Sequence, residues 1–295
     1  MANLDDLLEK TSRTFALSIP MLPEPTRLHV GIAYLLFRVA DTFEDAAEWP
    51  AAARLAALGD LSRLLRTPGG ERQAAARWLA EPPVDHVGYL ELLHETPAVM
   101  DAYWAVAPPA RDVLRRDLLR TVSGMAAFVR RGDTKGNLRL TTLRELRDYC
   151  YVVAGIVGEM LTELFLLDGA MLAPHASRLR RRSRFFGEAL QLVNILKDAS
   201  SDATEGRVYL PSGVPRSRVF ALAHRDLDTA AGYVRTLQLA GAPDGFVAFT
   251  GSPAVLARAS LERIAAVPGG KLTRAEVGAL MERMFEALGE KQPLL

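Results

Sequence analysis

Two sets of polar residues stand out in a chain of 295 residues. In "YLLFRVADTFED", residues 34–45, Tyr34, Arg38, Asp41 and Asp45 recur at i, i+4, i+7 and i+11, one stripe of an α-helix. Leu35, Leu36, Phe37, Val39 and Phe43 fill much of the rest. In "EALQLVNILKDASSDATEGRVYLP", Gln191, Asn194, Asp198 and Asp202 stand at i, i+3, i+7 and i+11 among Leu190, Leu192, Val193, Ile195 and Leu196. A solvated helix face is the plain reading of either copy alone, since like charges a turn apart cost only about 0.2–0.5 kcal/mol when exposed. Burial raises that to several kcal/mol per unpaired ion, so a buried stripe needs cations. Carboxylates from two helices could share divalent ions, and Mg²⁺ suits them: it prefers oxygen, keeps several waters and joins a few carboxylates to substrate phosphates. Arg38, Lys197 and Arg207 lie beside the stripes. Glu44 lies off the first stripe and supports or joins the site less directly.

The elements that must position these residues are helices. Strong helix formers dominate, alternating strand patterns are scarce, and breakers such as "RTPGG", "EPPVDH", "RRGDTKGN", "GAPDG" and "VPGGK" fall at intervals. Helices are expected at 26–47, 51–66, 71–81, 97–107, 110–131, 142–170, 176–204, 215–223, 226–240, 245–265 and 272–289. No linker marks a boundary, so residues 1–295 read as one all-α domain, a bundle larger than four helices with 142–170 and 176–204 at its centre. A net charge of +1 gives no overall attraction to nucleic acid or membrane. Cys150 is the single cysteine, which excludes an intramolecular disulfide and fits a reducing, cytoplasmic setting. The N-terminus "MANLDDLLEK" lacks a signal region, and apolar runs such as "VVAGIVG" are too short to span a bilayer. No Gly-rich dinucleotide loop is present. The basic run "RLRRRSRFF" is expected to be a solvated face, with membrane-surface contact as the second reading.

The ordered motifs "SRTFALSIPMLP", "YLLFRVADTFED", "YCYVVAGIVGEML" and "ALQLVNILKDASSDATEGRVYLP" resemble those of squalene and phytoene synthases, and the likeness runs from about residue 11 to 285. "DTFED" is closer to the squalene synthase form of the first aspartate motif, and "FVAFTGSPAVLARASLERI" followed by "KLTRAEV" resembles the later part of those enzymes. The resemblance implies an isoprenoid synthase-type helical bundle around a central cavity. It also implies a reaction: Mg²⁺ held by both aspartate motifs draws off diphosphate from one of two farnesyl diphosphates. The allylic cation is attacked by the second molecule's double bond, giving a cyclopropyl alcohol diphosphate (presqualene diphosphate), and a second ionisation with hydride from NADPH yields squalene.

Residue by residue, the resemblance implies metal binding by Asp41 and Asp45 and by Asp198 and Asp202. Asn194 would hold a metal-bound water or a diphosphate oxygen, and Lys197 replaces the family's more frequent arginine. Arg207 is a diphosphate ligand and Tyr209 covers the pocket. Ser12 and Arg13 match residues that bind diphosphate or cofactor phosphates, Tyr34 and Arg38 line the cavity, and Lys271 and Arg274 would meet NADPH. Gly155 and Gly158 read either as close helix packing or as room for substrate. One departure concerns the product: the family's tyrosine before "VAG" is Val152 here, and Tyr151 points about 100° away on an ideal helix. Phytoene, dehydrosqualene or hydroxysqualene formation, a terpene cyclase, and a non-catalytic helical scaffold are therefore the competing readings. The chain is expected as a monomer or weak homodimer.

Overall fold

Leu35, Leu36, Val39 and Phe43, the apolar neighbours of the first stripe, are fully buried. The computed structural model describes residues 4–12, 15–133, 137–204, 206–267 and 269–295. These fall into two compact units, one within 1–20 and 24–137 and the other within 21–23 and 138–295. Among the described residues the regular elements are helical, as expected, and the lone β-type pairing is a bridge between Arg139 and Val208.

The first unit holds α1 (Leu4–Thr11), α2 (Phe15–Ser18), α3 (Thr26–Glu44), α4 (Ala51–Leu64), α5 (Glu71–Ala80), α6 (Val87–His94), α7 (Thr96–Ala105) and α8 (Pro108–Arg131). Helix α3 packs against α1, α4, α6, α7 and α8, so most of its surface is core. Phe43 shows how: its ring lies 4.8 Å from that of Trp78 and 6.1 Å from that of Trp49, and burying such a side chain stabilises the fold by about 1.5–3 kcal/mol. The stripe that stays polar is what this packing leaves over. At the C-terminus of α3, Arg54 of α4 is buried and donates Nε to the Phe43 carbonyl at 3.3 Å and Nη2 to the Glu44 carbonyl. A guanidinium on the last carbonyls offsets the negative end of the helix dipole. That is how α3 can end in Asp41, Glu44 and Asp45.

The second unit holds α9 (Leu143–Cys150), α10 (Ile156–Asp168), α11 (Ala176–Thr204), α12 (Arg216–Leu239), α13 (Asp244–Ala266) and α14 (Arg274–Gly289). Helix α11 packs on α10, α12 and α13, which makes it the central helix of this unit, as its apolar faces suggested. Stacked rings join the layers, Phe165 on Phe246 at 4.1 Å and Phe186 on Tyr233 at 5.4 Å.

Several elements differ from the sequence expectation, beginning with α1 and α2, which lie ahead of the first helix expected at 26–47. The pieces 215–223 and 226–240 are one helix, α12, because nothing between them breaks it and Asp226 is buried within it. Helix α6 was not expected; it is eight residues long and apolar on most faces, so it shows no period. The segment 142–170 runs through a π-helical turn, Tyr151–Gly155, closed by the Ile156 N–H on the Tyr151 carbonyl. Read as one helix, Leu143–Asp168 is long and apolar enough to cross a membrane, unlike the short run judged from sequence, and 50% of its most apolar window is buried in the unit.

Glycines explain the contact beneath that turn. A Cβ on Gly187 would lie 1.9 Å from the Ala154 carbonyl oxygen, and one on Gly158 would lie 2.1 Å from that of Ser183. The π-turn, α10 and α11 therefore meet backbone to backbone. A Cβ on Gly155 would meet Tyr151 Cδ2 at 2.7 Å and Glu188 Cγ at 3.3 Å. Of the two readings of Gly155 and Gly158, close packing is the one that holds.

A charged cluster is sealed into the same region. Glu188 is fully buried; Arg184 approaches it at 2.7 Å and Arg147 at 3.4 Å. Asp226 is 2% exposed, with Arg225 at 3.7 Å, and its Oδ2 has no hydrogen-bond partner. Burial pushes the Asp226 carboxyl up to about 6, against the pull of Arg147 and Arg225 and with the push of Glu188. The buried Cys150 thiol, with both carboxylates near, is also held high. A carboxyl whose pKa is raised on folding stabilises the fold while protonated, below about pH 4, and loses that contribution as pH rises through about 6. Asp226→Asn is thus expected to exceed the parent in stability by about 1–3 kcal/mol at pH 7.5, with the gap closing toward pH 4.5. Urea unfolding midpoints at both pH values test this; a gap that does not change with pH would overturn it.

Candidate active site

The first stripe is half-buried rather than solvated. Arg38 is 27% exposed and Asp41 33%, with Arg38 Nη1 3.5 Å from Asp41 Oδ2. Loss of hydration pushes the Asp41 carboxyl up to about 6; Arg38 pulls it down and Asp45 pushes it further up. Asp45 is exposed and caps α3, its N–H on the Asp41 carbonyl at 2.8 Å. Glu44 is 5% exposed and sits about 100° around the helix from Asp45, among packed residues. Tyr34 donates its hydroxyl to the Thr11 carbonyl at 2.8 Å and accepts from Arg38 Nη2 at 3.3 Å. Ser12 follows α1, and its Oγ accepts from the Phe15 N–H at 2.8 Å, capping α2. Arg13 lies outside the described residues.

The second stripe is built on the last turns of α11. Asn194 is exposed, and Lys197 donates to its Oδ1 at 2.9 Å. Asp198 is about one-third exposed and has an ammonium facing each oxygen, Lys197 at 3.3 Å from Oδ2 and Lys271 at 3.6 Å from Oδ1. Lys271, expected at a cofactor, thus reaches the aspartate motif of its own unit. Arg274 is exposed in the first turn of α14, behind a Thr273–Glu276 capping box, where a helix N-terminus also favours anions.

Helix α11 stops in a way that places Arg207. Gly206 has φ 80°, a left-handed conformation that glycine adopts without a Cβ clash. The Gly206 N–H bonds the Ala203 carbonyl at 3.3 Å and the Arg207 N–H the Asp202 carbonyl at 2.9 Å, a Schellman stop. Beyond it Val208 is pinned, donating to the Leu138 carbonyl at 2.8 Å and accepting from the Leu140 N–H at 3.0 Å. Arg207 therefore leaves a rigid corner one residue from that pairing. Tyr209 is buried, stacked at 4.6 Å on Tyr149 and hydrogen-bonded to its hydroxyl at 2.9 Å; this pairing, which the sequence did not reveal, holds the ring.

Near Val152, the π-turn changes the helical phase, so ideal α-helical angles do not locate Tyr151. Its hydroxyl donates to Glu159 at 3.2 Å, and the Arg184 guanidinium lies 4.8 Å from its ring. The basic run is in part the solvated face expected of it, with Arg178, Arg180 and Arg181 exposed, while Arg182 and Arg184 turn inward. Arg180 pairs with Glu163 at 2.7 Å, Arg181 donates to Ser177, and Arg182 donates to the Gly232 carbonyl and to Thr236, while Arg184 serves Glu188. The contacts of Arg180 and Arg182 come from the helices packed beside α11, which a linear charge pattern does not display.

Among the described residues no group of three or more His, Cys, Asp and Glu side chains is placed to hold a metal ion. Mg²⁺ needs none, since it keeps several waters and takes one or two carboxylates together with substrate phosphates. The donors at each motif are carboxylate oxygens, accessible to water and flanked by cations that favour phosphate. They fit that ion.

Comparison with known proteins identifies the family. The squalene/phytoene synthase family profile matches residues 8–216. Squalene synthase BSS of Botryococcus braunii is 31% identical over 202 residues, 68% of this chain and 40% of that protein. The squalene synthase of Schizosaccharomyces pombe is 29% identical over 205 residues, 70% of this chain and 43% of that protein. The matches thus span less than half the length of these relatives. In three dimensions, TcSQS solved with the ligand E5700 matches with a TM-score of 0.75 at 24% identity, over 95% of this chain and 84% of that one, a likeness of fold.

Proposed function

We propose that this chain, which belongs to the squalene/phytoene synthase family, is a Mg²⁺-dependent prenyl transferase that joins two farnesyl diphosphates head to head through presqualene diphosphate to squalene. The observation that carries the reading is the state of the aspartate pairs. Asp41 and Asp198 are each about one-third exposed, Asp45 is exposed at the end of α3 and Asp202 is partly buried on α11. Cations stand beside them, Arg38 3.5 Å from Asp41 and Lys197 3.3 Å from Asp198. Lost hydration pushes the Asp41 carboxyl up to about 6, a cost that a bound cation would offset.

Asp41, Asp45, Asp198 and Asp202 would hold Mg²⁺, with Asn194 on a metal-bound water and Glu44 supporting Asp41 and Asp45 from the buried side. Mg²⁺, when bound, supplies the positive charge that a departing diphosphate needs. Arg38, Lys197 and Arg207 bind diphosphate oxygens and stabilise the negative charge that grows on them as the carbon–oxygen bond breaks. Lysine at 197 gives a point charge where arginine would give a two-pronged contact. Ser12 and Arg13 extend the anion site, Tyr34 orients Arg38, and Tyr209 walls the pocket. Lys271 and Arg274 would hold phosphates of NADPH, the hydride source for the last step. The carbocation would need apolar surroundings to escape capture by water.

Val152 favours a second reading, because it brings no hydroxyl to the position before "VAG". On that reading the enzyme stops at a related unreduced product. Incubation with farnesyl or geranylgeranyl diphosphate and Mg²⁺, with and without NADPH, followed by hexane extraction, separates the two. Squalene formed only with NADPH is the expected result. A hydrocarbon or alcohol independent of NADPH would establish the second reading, and a cyclic C15 product or no turnover would overturn both.

A further inference from the structure

We infer that Tyr89 is a positioning residue for Arg38, setting the plane of its guanidinium for the diphosphate; the inference rests on the role given to Arg38 above. Arg38 is gripped between two rings. Its Cζ lies 5.6 Å from the centroid of Tyr34, on the same helix, and 5.3 Å from that of Tyr89, on α6. Both distances fall within the reach of a cation–π contact. The Arg38 Nε is buried with no hydrogen-bond partner, so hydrogen bonding at the neck of the side chain does not fix the plane of the fork. The two rings do, together with the Nη2 bond to the Tyr34 hydroxyl at 3.3 Å, and Nη1 is left directed at Asp41, 3.5 Å away.

Tyr89 is itself held in place. The His86 Nδ1 accepts the Tyr89 N–H at 3.3 Å, and the two rings lie 4.1 Å apart. A Cβ on neighbouring Gly88 would fall 2.5 Å from the Lys10 carbonyl oxygen, so α6 rests on the backbone of α1. Lys10 also pairs with Glu91 at 2.7 Å. The opposite jaw, Tyr34, is tied to the last residue of the same α1 through the Thr11 carbonyl. Both sides of the clamp thus refer to one helix, which makes their separation a fixed quantity. Tyr89 touches no atom that reacts; it acts through Arg38.

The test compares Tyr89→Leu and Tyr89→Phe, each alone and with Arg38→Lys, in steady-state turnover of farnesyl diphosphate and in calorimetric binding of inorganic pyrophosphate with Mg²⁺. Tyr89→Leu is expected to lower kcat/KM about 10-fold and weaken pyrophosphate to a similar degree, while Tyr89→Phe, which keeps the ring, stays within about threefold of the parent. In the Arg38→Lys background there is no planar fork to orient, so adding Tyr89→Leu there is expected to change either value less than about twofold. Full additivity, or equal losses from leucine and phenylalanine, would overturn the inference. Arg38→Lys with undiminished turnover and pyrophosphate binding would overturn the reading of Arg38 itself, and the inference with it. Should Tyr89→Leu fail to fold, Tyr89→Met serves in the same assays.

Discussion

Asp198→Asn is expected to lower the formation of any prenyl product by about 100-fold or more, because it removes a full negative charge from a motif proposed to hold Mg²⁺ against a leaving diphosphate. Asp41→Asn should do the same, with a second consequence that separates a functional from a structural carboxylate. In the metal-free protein the Asp41 carboxyl is pushed up to about 6 from an ordinary 3.8. A raised carboxyl pKa means stability present below about pH 4 and lost as pH rises through 6, so at pH 7.5 the ionised Asp41 is a cost. Discounted for a side chain that is 33% exposed, that cost is about 1 kcal/mol. Asp41→Asn is therefore expected to melt about 2–4 °C higher than the parent in metal-free buffer while losing turnover. Melting curves in EDTA and product yields with Mg²⁺ check both halves. Retained turnover, or a lower melting temperature, would count against the site.

Gly187→Ala carries the largest stability loss expected in the second unit. The added Cβ would stand 1.9 Å from the Ala154 carbonyl oxygen and 3.0 Å from the Gly155 nitrogen. These are backbone atoms in a packed turn, so the collision is relieved by parting α11 from the π-turn rather than by swinging a side chain. The loss is expected at about 3 kcal/mol or more, measured by urea unfolding. Gly213→Ala, where an added Cβ meets nothing within 4 Å, is the control and should stay within about 0.5 kcal/mol. Equal midpoints for the two variants would refute the backbone contact.

What was legible in the sequence was the part governed by period and by turn chemistry. The stripe Tyr34–Arg38–Asp41–Asp45 and the stripe ending in Asp198 and Asp202 both lie on single helices, α3 and α11, since apolar neighbours at 3.6-residue spacing leave little choice. Arg54 on the α3 carbonyls, Tyr89 beside Arg38 and Glu188 between Arg147 and Arg184 were not legible. Each depends on which helices become neighbours, and a charged or aromatic residue looks the same in sequence whether it faces solvent or a helix end. The π-turn escaped for a related reason: one surplus residue leaves composition and apolarity unchanged while shifting the angle of what precedes it.

That surplus residue also uncouples two alignments. Before it, α9 is phased by the Thr142–Glu145 capping box; after it, α10 is phased by Gly158 against Ser183. The turn Tyr151–Gly155 absorbs the mismatch between the two phases while its own backbone stays seated on α11. Each helix can then keep its own anchoring contacts, the capping box on one side and Gly158 against Ser183 on the other, without a shared helical phase.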